Sequence, residues 1–110
     1  MSNNQSSTLD GIDPTVQNIT AVVPCYCEKN QILDVLGKFD STIKHIIVID
    51  DACPERTGEF VRKNNNDTRV QVITHEENQG VGGATITGYA KAIELGTDIR
   101  EPWFVVVLEP

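Results

Sequence analysis

Four short apolar runs divide the chain, and polar or glycine-rich stretches separate them. The first, NITAVVP at residues 18–24, is β-branched and apolar on both faces, as a strand buried within a parallel sheet is, and Pro24 is expected to end it. HIIVIDD at 45–51 repeats that signature, RVQVIT at 69–74 forms a third strand, and PWFVVVL at 102–108 a fourth. Between the first two runs, Ile32, Val35, Leu36 and Phe39 recur at helical spacing and predict a helix with one apolar stripe. Residues 52–66 read as a loop, a short helix and a polar turn. After the third run comes a glycine-rich loop, then a helix from about residue 80 to 95 capped by Gly96. Strand and helix alternate throughout. That order predicts an α/β fold, a three-layer α/β/α arrangement with a mainly parallel sheet and right-handed crossovers. Residues 1–17 are rich in Ser, Asn, Asp and Gly and are expected to form a mobile leader to a single domain at 18–110.

Composition narrows the function. With 110 residues and 39% apolar content the chain can bury one small core. A formal charge of −7 disfavours a nucleic-acid backbone or an anionic membrane surface as partner, so a phosphate ligand would have to be held locally. No run approaches the roughly 20 apolar residues of a membrane span. The polar start and the odd number of cysteines fit a reducing cytoplasm. Cys25 and Cys27 lack the two-residue gap of a zinc knuckle, and only Cys53 accompanies them, so all three are expected to be small buried or loop thiols.

In a doubly wound sheet, ligands bind at the carboxyl ends of the strands. Here those ends carry PCYCE, DDACPE and HEENQGVGG. Tyr26 has the ring to lie against a base, and Glu28 and Asp51 can accept hydrogen bonds from a base or ribose. Capping of the following turn is an equal reading for Glu28 and Asp50. Of the two adjacent acids, one should face the rim and the other a sheet face. His45 and His75 are expected to be solvated loop residues. Turn punctuation accounts for one or two glycines but not for Gly80, Gly82, Gly83 and Gly88 together, so close approach of backbone to a ligand is expected. No Gly-Lys-Ser/Thr follows them, and the glycine turn follows the third strand instead of the first, which excludes a nucleotide-hydrolase phosphate loop and fits a dinucleotide fingerprint poorly.

The segments AVVPCYCE, IIVIDDACPERTGE and NQGVGGATITGYAKAIELG, in this order and spacing, resemble the nucleotide-binding half of inverting family 2 glycosyltransferases, nearest to the dolichyl- or polyprenyl-phosphate sugar synthases. The resemblance spans about residues 19–99. It implies a partial GT-A (nucleotide-diphospho-sugar transferase) fold, a nucleoside-diphosphate sugar as ligand, and Mg²⁺ or Mn²⁺ as metal. It further implies that Pro24, Tyr26 and Glu28 line the nucleotide pocket, that Asp51 bonds the base, and that Asn78, Gly80, Gly83 and Ala84 lie beside the donor. Cys27 departs from the family, which usually has Asn there.

The family's metal-holding Asp-x-Asp motif does not occur in this sequence, and Glu109 is a weak substitute for it. The expectation is therefore a family 2 donor-binding unit, truncated before that motif and catalytically incomplete by itself, with an open sheet edge available for self-association. The alternative is a non-catalytic nucleotide-binding or interaction module built on the same fold. A flavodoxin-like or receiver-type domain shares the acidic strand end but not the glycine density.

Overall fold

The computed structural model describes residues 19–27, 29–96 and 105–107. The expected leader, Glu28 and Glu109 lie outside these residues. The elements run β1 (Ile19–Cys25), α1 (Ile32–Leu36), β2 (Ile43–Asp50), α2 (Thr57–Asn64), β3 (Val70–Thr74), α3 (Gly80–Glu94) and β4 (Val105–Val107). The strands form one parallel sheet in the order β3-β2-β1-β4. The chain thus steps outward from β1 to β3, then crosses back to the other side of β1. Such a reversal of strand order opens a crevice above the carboxyl end of β1.

Strand parity divides the core in two. Ala21, Val23 and Cys25 of β1 and Ile46 and Val48 of β2 face α1 and α2, where they meet Ile32, Leu36 and Val61. Val22 of β1 and Ile47 and Ile49 of β2 face the opposite way, against Ala84 and Ala92 of α3. The register places Val22 opposite Ile47 and Val23 opposite Val48, so each face is apolar in continuous rows. This is why the strands read as unbroken apolar runs: both faces are covered.

The expected helical stripe is present, with Ile32 and Leu36 buried and Val35 and Phe39 packed on the same cluster, but α1 itself has five residues. It ends at Gly37, whose amide bonds the Leu33 carbonyl. β1 also runs one residue past Pro24, because Cys25 still pairs with Asp50. Gly96 closes the end of α3 as expected, with φ of 97° and its amide on the Ile93 carbonyl.

Packing of α3 accounts for Gly88. A Cβ built there would overlap Val22 Cγ1 outright and lie 3.0 Å from Cγ2. Ala84, Gly88 and Ala92, four residues apart, form the buried stripe that lets the helix approach the sheet. The far side of α3 leaves Ile86, Tyr89 and Ile93 exposed, and Val81, in the first turn ahead of Ala84, is exposed as well.

At the opposite end of the sheet, Arg69 ties three segments together. Its guanidinium pairs with Asp67 at 2.8 Å and donates to the carbonyls of Asp40 at 2.6 Å, Ile43 at 2.7 Å and Phe39 at 3.1 Å. The strand starts are thereby fixed, and the carboxyl rim stands on a braced base.

Candidate nucleotide-sugar rim

The adjacent acids at the end of β2 point to opposite faces, as alternation requires. Asp50 turns toward α2: its Oδ1 accepts the Cys53 amide at 2.9 Å and its Oδ2 the Gly58 amide at 2.8 Å. It is therefore the cap that the sequence allowed. Gly58 makes this possible, since a Cβ there would lie 2.8 Å from Asp50 Cβ.

Asp51 turns toward α3 and organises the glycine loop. Its Oδ1 lies 2.8 Å from His75 Nδ1 and accepts the Gln79 amide at 2.8 Å, while Oδ2 accepts the Gly80 amide at 2.8 Å. The Asn78 side chain donates to the Asp51 carbonyl at 3.0 Å and accepts the Gly80 amide at 3.1 Å. Gly80 has φ of 79°, a left-handed conformation that a side chain disfavours, and this turn aims its amide at the carboxylate. Burial pushes the Asp51 carboxyl up, but the bonds from His75, Gln79 and Gly80 outweigh it and hold its pKa below the usual carboxylate value. The carboxylate thus takes the first amides of the α3 turn, where the helix end favours negative charge. Among the described residues, donors fill three of its four lone-pair sites, leaving one on Oδ2.

His75 is a correction to the sequence reading. It is buried, not solvated, and joins Asp51 to Thr87 Oγ1, 2.8 Å from its Nε2. Because a carboxylate only accepts, Nδ1 carries a proton. Thr87 also reaches the Gly83 carbonyl at 3.1 Å, so the chain Asp51, His75, Thr87, Gly83 links the end of β2 to the second turn of α3. His45 lies within β2 and is half-buried, again not in a loop.

The structure brings Asp51, Asn78 and Gly80 into one bonded network, with Gly83 a turn away. A Cβ at Gly83 would lie 2.5 Å from Gln79 Cβ, so crowding by the preceding turn explains that glycine. Gly82 faces open space. Pro24 is buried in the sheet beside Ile49, and Tyr26 projects from the loop after β1 with 46% of its surface exposed. The Asp51 amide donates to the Cys25 carbonyl at 3.2 Å, joining the two strand ends. Ala84 lies in the core, not on the rim.

A cleft of about 420 Å³ opens beside this network, lined by Asp50, Ala52, Cys53, Arg56, Glu59, Arg62, Thr74, His75 and Glu76. Among the described residues expected to bind the nucleotide, none lines it; Arg56 and Arg62 are the cations that the described residues bring to it. At its edge the loop after β2 carries Cys53. Burial raises the Cys53 thiol, but hydrogen bonds from Thr57 and from the amides of Cys27 and Glu55 outweigh it and bring it below its ordinary value.

Residues 20–94 match the family model described as Glycosyl transferase family 2. The chain belongs to glycosyl transferase family 2. It is 37% identical over 95 residues to the UDP-N-acetylglucosamine–dolichyl-phosphate N-acetylglucosaminyltransferase of Methanococcus voltae, an alignment covering 74% of this chain and 38% of that protein. It is 24% identical over 93 residues to the dolichol-phosphate mannosyltransferase of Pyrococcus furiosus, covering 76% of this chain and 26% of the other. With the undecaprenyl-phosphate mannosyltransferase of Micrococcus luteus it shares 29% identity over 84 residues, 74% of this chain and 35% of that one. The chain therefore spans well under half the length of the relatives it matches. As a family 2 domain it has the expected α/β sheet, consistent with part of a GT-A fold. No helix among the described residues is long and apolar enough to cross a membrane.

Mg²⁺ and Mn²⁺ are hard cations that take oxygen ligands. Among the described residues, the one group of potential metal ligands within 4.8 Å of one another is Cys27, Cys53 and Glu55, which offers two sulfurs. No group of three oxygen ligands gathers for either ion among the described residues.

Proposed function

We propose that this family 2 domain binds a nucleoside-diphosphate sugar at the carboxyl rim of its sheet. In that reading it is the donor-binding part of an enzyme that transfers sugar, with inversion, to a polyprenyl phosphate. The observation that carries the reading is the convergence of three separate sequence motifs on one rim, above the crevice beside β1. Tyr26 supplies an exposed ring for stacking on a base. Glu28 and the remaining Oδ2 site of Asp51 accept polar hydrogens of the base or ribose, and Pro24 sets the floor of the pocket. The loop at Asn78, Gly80 and Gly83, held by Asp51, presents backbone to the sugar-diphosphate. Its rigidity reduces the ordering cost of binding. The acceptor class follows from the names of the relatives, all of which include a dolichyl, dolichol or undecaprenyl phosphate. The exposed apolar side of α3 suits cover by further protein of a longer enzyme.

Titration calorimetry of the 110-residue chain with UDP, GDP, CDP and their sugars, each with and without Mn²⁺, tests this. Binding of one base class in preference to the others is expected. Absence of binding across the panel by a folded chain overturns the donor-binding reading.

A further inference from the structure

Cys27 and Cys53 are 26 positions apart in sequence, yet the loops after β1 and β2 bring their sulfurs to 3.7 Å. A carboxylate oxygen of Glu55 completes a group whose three ligand atoms lie within 4.8 Å of one another. Neither thiol takes part in the Asp51 network.

The geometry suits a particular kind of ion. Two thiolates on a tetrahedral zinc at about 2.3 Å lie about 3.8 Å apart, close to the separation found here. The sulfurs need almost no movement to share a cation. Both loops are also shaped toward this meeting. Cys27 holds a φ of 57°, uncommon for a side-chain-bearing residue, and from that turn its amide donates to Cys53 Sγ at 2.9 Å. Cys53 is anchored by Asp50, which accepts its amide, and Thr57 Oγ1 lies 3.3 Å from its sulfur. Hydrogen bonds to a ligand sulfur fix its orientation, as outer-shell partners do around metals. Cys27 and Glu55 are exposed while Cys53 is buried, so one side of the group opens to solvent. Ion and water can reach it.

We propose that Cys27, Cys53 and Glu55 form a three-ligand site for a soft divalent cation, Zn²⁺ foremost, whose fourth position is open to water or an anionic oxygen at the rim. Two sulfurs and one carboxylate select zinc over magnesium or manganese. This site is chemically distinct from the oxygen-ligated ion that the family resemblance implies, and it does not depend on the donor-binding reading. Binding exchanges two thiol protons for the ion, Zn²⁺ + 2 RSH giving Zn(SR)₂ + 2 H⁺, so affinity rises with pH.

The test uses the complete chain, reduced with a phosphine and kept anaerobic, with Co²⁺ as the spectroscopic probe. One cobalt per chain is expected, with a near-ultraviolet sulfur-to-cobalt charge-transfer band of two-thiolate intensity that Zn²⁺ abolishes. Cys27→Ala, at an exposed position, should lower that intensity by half or more with an unchanged far-ultraviolet circular dichroism spectrum. Glu55→Gln should keep the band and weaken affinity by at least about tenfold, since changes to outer-shell partners alone cost about 10–100-fold. Cys25→Ala, in the strand, should leave it intact. A folded, reduced chain that gives no such band, or a band whose intensity Cys27→Ala leaves undiminished, overturns the proposal.

Discussion

Replacing Gly88 with alanine pits two effects against each other, and the structure says which should win. Alanine in place of glycine inside a helix stabilises by about 1 kcal/mol when nothing else changes. At position 88 the added methyl would overlap Val22 Cγ1 and stand 3.0 Å from Cγ2 and 3.2 Å from Cβ. Val22 is fully buried in the central strand and, being β-branched, has little freedom to rotate away. Relief must come from lifting α3 off β1 and β2. Overpacking of a tight core costs about 1–3 kcal/mol, and an overlap this deep belongs at or above the upper end. The net expectation is a loss of about 2 kcal/mol, or a fall of roughly 10 °C in melting temperature for a domain of this size. Urea unfolding followed by circular dichroism measures it. Val22→Ala removes both offending methyls, so Gly88→Ala with Val22→Ala should be less destabilised than the sum of the single changes by at least about 1 kcal/mol. If Gly88→Ala instead matches or exceeds the parent in stability, α3 does not pack on Val22 as described, and this glycine has another reason.

Three further outcomes follow from the same contacts. Asp51→Ala leaves the amides of Gln79 and Gly80 and the His75 Nδ1 proton without their acceptor, which should cost about 3 kcal/mol and speed amide exchange at Gln79 and Gly80. Unchanged exchange at those amides would refute the role given to Asp51. Asp51 and Asp67 both have carboxyl pKa values held low in the folded chain, Asp67 chiefly by its bond from Arg69, so their contribution is complete above the unfolded value of about 4 and is lost as pH falls through the folded values. Urea midpoints should therefore drop on acidification below about pH 4, and a rise would contradict the assignment. Arg69→Ala removes one ion pair and three bonds to carbonyls, and after discounting for the water that reaches this partly exposed group it should cost about 2 kcal/mol. Arg69→Lys should recover only part of it, because an ammonium cannot span the same fork.

The parts of this protein that were legible from its residues are those written in local pattern. Strands covered on both faces appear as continuous apolar runs, and Ile32, Val35, Leu36 and Phe39 announced the stripe that packs on one face. Asp50 and Asp51 diverge because adjacent strand residues must. His75 escaped for the opposite reason: it lies between Thr74 and Glu76 with no local mark of burial, and its partners are 24 and 12 residues away. The pairing of Cys27 with Cys53 is hidden in the same way, across 26 residues. Gly88 carried a readable signal, since Ala84, Gly88 and Ala92 recur every four residues and mark a helix face made for close packing. The expectation of ligand contact gathered all the glycines under one cause. The structure separates them into a left-handed turn at Gly80, crowding by Gln79 at Gly83 and contact with the sheet at Gly88.

Nucleotide binding at the rim is the central claim, and an amide NMR titration of the isotope-labelled chain with its preferred nucleoside diphosphate locates the ligand directly. Shifts concentrated at Tyr26, Asp51, Asn78, Gly80 and Gly83 are expected, with little change at Arg69 on the opposite end of the sheet. A well-dispersed spectrum whose shifts fall instead around Arg56 and Arg62, or on the exposed side of α3, would contradict it.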